Sequence, residues 1–418
     1  MNCHLRPLEE ILKEVLPNLK EPVLFQNMLQ NSNGSYEWKL LKWSLTDLVK
    51  KFGDKKLPFR VGDHNKRTCT LQHKEWDLDN PTAKPVHLTL EEFVALQSKE
   101  VNKDNKWYYC DYKHIKEWLN DDTEIIESFN WLMFGVDKKL GENGINSTFW
   151  IGSKGAHTDC HWDTYGYNLV AQIYGRKIWL LYPPNTDLIP VRLPYEESTV
   201  YSRFNIYCLS EEEKDYVLSI KEKPKLITLE PGDVLFVPNG WWHYVESLDQ
   251  ITVSVNIWGE LKKDNKARVE EALVKLIVAK IGDYTQFSNK ETKHYTRKVE
   301  DAIFEWIRKV EEEETNAKSA PKIPAKRSVS KPQTAKELAE EYPYYIKLLP
   351  DADEKEFKEF IEERRKRDDE KDLSDKESAS GDHIPNPQYD SFLESLINAL
   401  CHPEVVRKAA KILLDRHY

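Results

Sequence analysis

The sequence predicts a mainly β fold with helical decoration, an all-β barrel or sandwich that gives way to helices. Three observations carry this. Strand-length apolar runs recur with turn residues between them, among them Lys106–Tyr112, Leu226–Leu229, Val234–Val237 and Thr252–Trp258, as in antiparallel sheets rather than βαβ units. Past Lys262 the apolar period changes to that of a helix. Finally, 40% apolar residues with 13 Trp, 20 Tyr and 14 Phe in 418 residues suffice for a large core.

In chain order, Leu8, Ile11, Leu12, Val15 and Leu16 mark a helix stopped by Pro17. Pro22–Gln26 reads as a short strand. Ser44 caps a helix carrying Leu45, Leu48, Val49 and Phe52, and Gly53 ends it. Leu57–Val61 and Thr68–Leu71 are strand-like, and Thr89 with Glu92 opens another helix. Residues 1–104 thus form a helix and strand part expected to pack on a β core at 105–262. Between the halves of that core, Arg192–Ser202 and Ser210–Asp215 read as polar loops suited to a substrate-facing rim.

Helical extensions are expected at 263–312, with Val269, Ala272, Leu273, Leu276 and Ile277 in register and then Val299, Ile303, Trp306 and Ile307. Residues 313–335 read as a flexible linker. In 336–418, Glu354–Lys371 reads as a solvated helix or disordered, and the apolar positions from Phe392 to Leu414 as two short helices around Pro403. These end helices either dock on the barrel or pair two chains.

The net charge of −10 argues against a surface that coats nucleic acid or an anionic membrane. Six scattered cysteines without a Cys-x-x-Cys pair argue against a disulfide framework or a thiolate zinc site. No run approaches the ~18 apolar residues of a membrane span, and the first residues lack the apolar core of a signal peptide. The expected location is the cytoplasm, with the nucleus as an alternative.

The chemistry-bearing stretch runs from Thr148 to Tyr182. Residues i and i+2 of a strand share a face, so His161 and Asp163 can reach one ion. A third ligand, His243, follows the turn and strand that begin at Pro231. Two His and one carboxylate with open positions suit non-haem Fe(II). His157–Asp159 is a second pair of the same type four residues earlier, and composition leaves both open.

These residues resemble the Jumonji-C (JmjC) dioxygenases, which use Fe(II) and 2-oxoglutarate. The family pattern Gly-x-x-Gly-x-x-Thr-x-x-His-x-Asp, then Asn, Gly-x-Lys and Pro-Pro, is met by Gly152, Gly155, Thr158, His161, Asp163, Asn168, Gly175, Lys177, Pro183 and Pro184. The second half is met by Pro231 to Ser247 with His243, then Thr252, Asn256 and Trp258. Within the family, Thr164–Gly166 and Pro194–Ser198 resemble runs of the branch associated with a small heat-shock protein. The asparaginyl hydroxylase of hypoxia-inducible factor is a more distant likeness. The resemblance selects His161 and Asp163, because Thr158 then takes the family's threonine position, and it leaves His157 and Asp159 as expected rim residues.

The resemblance implies a double-stranded β-helix with the metal inside one mouth. It implies that His161, Asp163 and His243 hold Fe(II), and that Lys177 and Thr158 meet the far carboxylate of 2-oxoglutarate. Asn168 and Asn256 would orient the cosubstrate, Trp258 would close the wall, and Tyr109, with Tyr108 as the alternative, would touch the cosubstrate. The implied activity is hydroxylation of a protein side chain. Two other classes stand beside it: a scaffold that binds a small heat-shock protein, and a zinc hydrolase, which leaves Lys177 unexplained. JmjC hydroxylases similar to this chain include some that dimerise through C-terminal helices, so a homodimer is an expected assembly.

Overall fold

The computed structural model describes residues 7–30, 34–64, 85–98, 105–192, 198–284, 290–319, 334–369 and 395–416. Fifteen strands appear among them: β1 (Val23–Phe25), β2 (Leu57–Asp63), β3 (Val86–Leu88), β4 (Lys106–His114), β5 (Thr148–Ser153), β6 (His157–Asp163), β7 (Tyr167–Tyr174), β8 (Lys177–Tyr182), β9 (Pro190–Val191), β10 (Thr199–Ser202), β11 (Lys225–Leu229), β12 (Val234–Val237), β13 (Trp242–Ser247), β14 (Ile251–Gly259) and β15 (Ile346–Leu348). They form a nine-stranded sheet in the order β15-β1-β12-β7-β14-β5-β4-β2-β3 and a six-stranded sheet in the order β11-β8-β13-β6-β10-β9. This is the antiparallel β core expected, a jelly roll of two sheets with helices around it.

Alternation along the strands divides the apolar residues between two cores. On β7 and β12, Leu169, Ala171, Val234 and Phe236 join Leu12, Leu16, Phe52 and Trp131 in a cluster under the N-terminal helices. Their neighbours Val170, Leu235 and Val237 face the other way and meet Trp179, Leu181 and Val245 of the second sheet. Burial on both faces is why these strands read as nearly continuous apolar runs instead of alternating ones.

The helix starts read from the sequence are seen with their caps. Ser44 and Asp47 bond reciprocally at the start of Leu45–Phe52, and Thr89 and Glu92 do the same before Leu90–Ser98. Thr68–Leu71 lies outside the described residues.

Four expectations are corrected. Ser210–Asp215 is no loop: Ser210 and Glu213 form a capping box that starts the helix Glu211–Ser219, a signal the acidic composition obscured. The described residues of the stretch 192–202, which are 192 and 198–202, form no polar rim. Arg192 is buried, and Thr199–Ser202 is strand β10, buried throughout and paired with β6. The helix expected to end near 312 runs as Lys290–Ser319, where a linker was expected, and residues 320–333 lie outside the description. Glu354–Asp369 is not a solvated helix, because Phe360, Ile361 and Arg364 bury themselves on the barrel.

The chain's last helix, Pro403–Arg416, places Ala410 and Leu414 against Val269 and Ile303 of the preceding helices. This helix therefore docks on the helical extension of the same molecule.

Candidate metal centre

The site grows from two adjacent strands. β13 runs antiparallel to β6 with His243 opposite His161, and the two rings lie 4.1 Å apart. Asp163, two residues on, shares their face. One ligand atom from each of His161, Asp163 and His243 lies within 4.8 Å of the others.

The His161 Nδ1 lies 2.7 Å from the Asp159 carbonyl, and the His243 Nδ1 lies 3.0 Å from that of Trp241. A carbonyl can only accept, so each Nδ1 carries the proton and Nε2 is left as the basic nitrogen, the form a metal needs. The Trp258 Nε1–H donates to Asp163 Oδ2 at 3.0 Å and fixes that carboxylate.

A break in register decides which His-x-Asp pair faces inward. Opposite β13, His243 meets His161 but Val245 meets Thr158, so β6 holds one extra residue there. Such a bulge reverses the alternation. Thr158 lines the cavity with His161 and Asp163, and His157 is turned to the outer side. His157 and Asp159 are therefore not rim residues; both are buried.

The cavity brings together nine residues singled out from the sequence: Tyr109, Thr158, His161, Asp163, Asn168, Lys177, His243, Asn256 and Trp258. Tyr108 packs instead against the N-terminal core. Lys177 is 2% exposed. Its Nζ donates to Ser254 Oγ at 2.9 Å and sits 5.3 Å from the Tyr109 ring centroid. Burial pulls its pKa down to about 7, with Asp111 opposing. The Tyr109 hydroxyl lies 3.3 Å from Thr158 Oγ1. Asn256 donates to Asn168 Oδ1 at 2.9 Å and accepts from the Trp150 indole at 2.8 Å, which locks both amides.

Sequence reasoning missed Trp150, Trp179, Ser254 and Tyr112, which also line the cavity. Alternation could have found Ser254, which stands two residues before Asn256 on β14. Nothing in the sequence marks Tyr112.

The model of the cupin-like domain family matches residues 9–265, well over half of the chain. The chain belongs to the cupin-like JmjC family. Among curated proteins it is similar to HSPB1-associated protein 1 of Bos taurus, 38% identical over 325 residues, which is 75% of this chain and 61% of that one. The same-named protein of Homo sapiens is 39% identical over 287 residues, 66% of this chain and 55% of that one. The lysine-specific demethylase JMJ31 of Arabidopsis thaliana is 36% identical over 115 residues, 26% of this chain and 20% of that one. The chain spans about three fifths of the length of the HSPB1-associated proteins it matches.

The JmjC core carries a second polar cluster on the outer face of β6 and β13. His157 stacks on Tyr207 at 4.0 Å, and burial lowers its pKa to about 3. Glu246 receives a hydrogen bond from the Tyr244 hydroxyl at 2.9 Å and ion pairs from Arg364 and Arg367, the latter at 2.8 Å. Burial works to raise the Glu246 pKa, but the two guanidiniums outweigh it and hold it at about 2. Both arginines lie beyond the family match, so the helix Glu354–Asp369 completes the JmjC core from outside it. Among the described residues, no helix is long and apolar enough to cross a membrane.

Proposed function

We propose that this chain is a JmjC oxygenase that uses Fe(II) and 2-oxoglutarate to hydroxylate a protein side chain. The observation that carries the reading is Lys177: a buried ammonium in the same cavity as His161, Asp163 and His243, with a hydroxyl and a ring beside it. A cation in such a place is costly unless an anion joins it. The donor set fits a divalent metal with open positions, and the lysine fits the far carboxylate of a bound dicarboxylate.

Bound Fe(II) and 2-oxoglutarate supply the oxidising chemistry, in which O₂ is consumed, 2-oxoglutarate becomes succinate and CO₂, and a substrate C–H becomes C–OH. The chain's own residues prepare that step. His161 and His243 present Nε2, Trp258 orients Asp163, and the Asn168–Asn256–Trp150 series holds the amides rigid. Thr158 and Ser254 supply hydroxyls beside Lys177, and the walls Val170, Trp179 and Val245 keep water from it. A zinc hydrolase would use the same triad but has no task for Lys177.

The test is anaerobic loading with Fe(II), followed by 2-oxoglutarate and O₂, with succinate measured against His243→Ala. Succinate above that control supports the oxygenase. No succinate and no 2-oxoglutarate binding by calorimetry favours a scaffold. The name of the relatives in cattle and humans supports a small heat-shock protein as a partner under either outcome. The cytoplasm, with the nucleus as alternative, remains the proposed location.

A further inference from the structure

The mouth of the cavity carries a strained aromatic residue that the chemistry above does not use. β4 loses register with β5 between Cys110 and Lys113, and within that break Tyr112 adopts φ 52°. Residues with a Cβ seldom adopt that conformation, and an aromatic one there costs free energy that its surroundings must offset. Tyr112 remains 38% exposed, yet it lines the cavity. Its ring lies 4.5 Å from that of Trp150 at a 59° tilt, and Trp150 lies 6.5 Å from Trp258.

Both indole N–H groups point inward, that of Trp150 to Asn256 and that of Trp258 to Asp163. The two tryptophans therefore offer ring carbon to the mouth. Of the charges beside this wall, Asp111 is paired with Arg60 at 3.0 Å. Lys113 lies over Trp118, and Arg268 lies over Tyr165 and pairs with Glu260 at 3.3 Å, so neither is a free charge facing the wall.

We propose that Tyr112, with the ring faces of Trp150 and Trp258, is the specificity wall of the site, and that it selects an uncharged apolar side chain, aliphatic or aromatic. The proposal rests on the oxygenase reading and names the substrate class for it. A carboxylate or amide laid on this wall gives up water without gaining a partner. A cation gains from a π face but gives up its water beside carboxylates that are already engaged, Asp163 by the Trp258 indole and Asp111 by Arg60. An apolar chain gains burial and ring contact at no such cost. The strain fits this role: a position where glycine would be at ease holds a ring instead.

The experiment uses the full chain loaded with Mn(II), without O₂, with and without 2-oxoglutarate. N-acetyl amides of leucine, phenylalanine, lysine, aspartate and asparagine are titrated at millimolar concentration by saturation-transfer NMR. The leucine and phenylalanine amides should bind about tenfold more tightly than the other three. Tyr112→Gly should lose that preference while its Tm equals or exceeds that of the wild type. Tyr112→Asn, whose side chain tolerates the left-handed region, should repeat the loss, and Tyr112→Phe should keep the preference. Equal binding of the lysine or aspartate amide, no saturable binding of any amide to the wild type, or an undiminished preference in Tyr112→Gly and Tyr112→Asn overturns the proposal. Failure of the wild type to bind 2-oxoglutarate strikes the oxygenase reading alone, because the amide preference is also read without it.

Discussion

Two His-x-Asp pairs stand on one strand four residues apart, and their local geometry is nearly the same. His157 and Asp159 approach to 3.7 Å and His161 and Asp163 to 3.9 Å. Each imidazole holds the carbonyl two residues before it through Nδ1. What differs is the company. The inner pair faces His243 and a cavity, whereas the outer His157 is covered by Tyr207, and the charges of Arg60 and Arg367 hold its pKa down further. A motif supplies donors, but a third donor and room for an ion make a site.

The sharpest way to break this comparison is to remove one carboxylate from each pair. Asp163→Ala should lose metal affinity by about 100-fold or more, and Asp159→Ala should stay within about threefold of wild type. Co(II) binding followed by absorbance reads both. The reverse result would make the outer pair the ligand set.

The outer cluster should instead answer in stability. Arg364 and Glu246 are nearly inaccessible, so Arg364→Ala leaves a buried carboxylate short of a partner and should cost about 3–5 kcal/mol in denaturant unfolding. The folded-state pKa of Glu246 lies below the unfolded value, so its stabilisation is full above roughly pH 4.3 and is lost as pH falls toward about 2. An Arg364→Ala protein as stable as wild type would reduce the helix Glu354–Asp369 to a surface appendage.

The smallest effect concerns the cations. Outer arginines are paired with carboxylates, whereas Lys177 is pulled down to about 7 by burial. A bound dicarboxylate favours its charged form, so 2-oxoglutarate affinity should be level below pH 7 and fall about tenfold per pH unit above it, or about 1.4 kcal/mol per unit. Calorimetry with Mn(II) in place of iron checks this. Lys177→Met should bind weakly and without that slope, and an equal slope would remove Lys177 from the contact.

Much of the fold was legible before any coordinates. Capping pairs such as Ser44 with Asp47 and Thr89 with Glu92 are local, because a side chain reaching three residues along needs no distant partner. Strands around Val234 and Thr252 were legible from their length and their turns. The helix after Ser210 has an equally local cap and was overlooked because its acidic residues resemble a loop. Arg364 was not legible at all: a charged residue in a charged run reads as solvated until Glu246, 118 positions away, is placed beside it.

The same division holds at the site. The sequence by itself determined the His161–Asp163 and His243 candidates, since residue type and spacing carry those, and its resemblance to the JmjC family pointed to the class and to Lys177. Only the tertiary structure decided which pair faces the cavity, that Tyr109 and not Tyr108 lines it, and that Tyr112 stands at its mouth. Each of these depends on a bulge or a register, and one extra residue in a strand reverses every side chain beyond it. That extra residue is set by pairing with a strand far away in the chain, so no local pattern announces it.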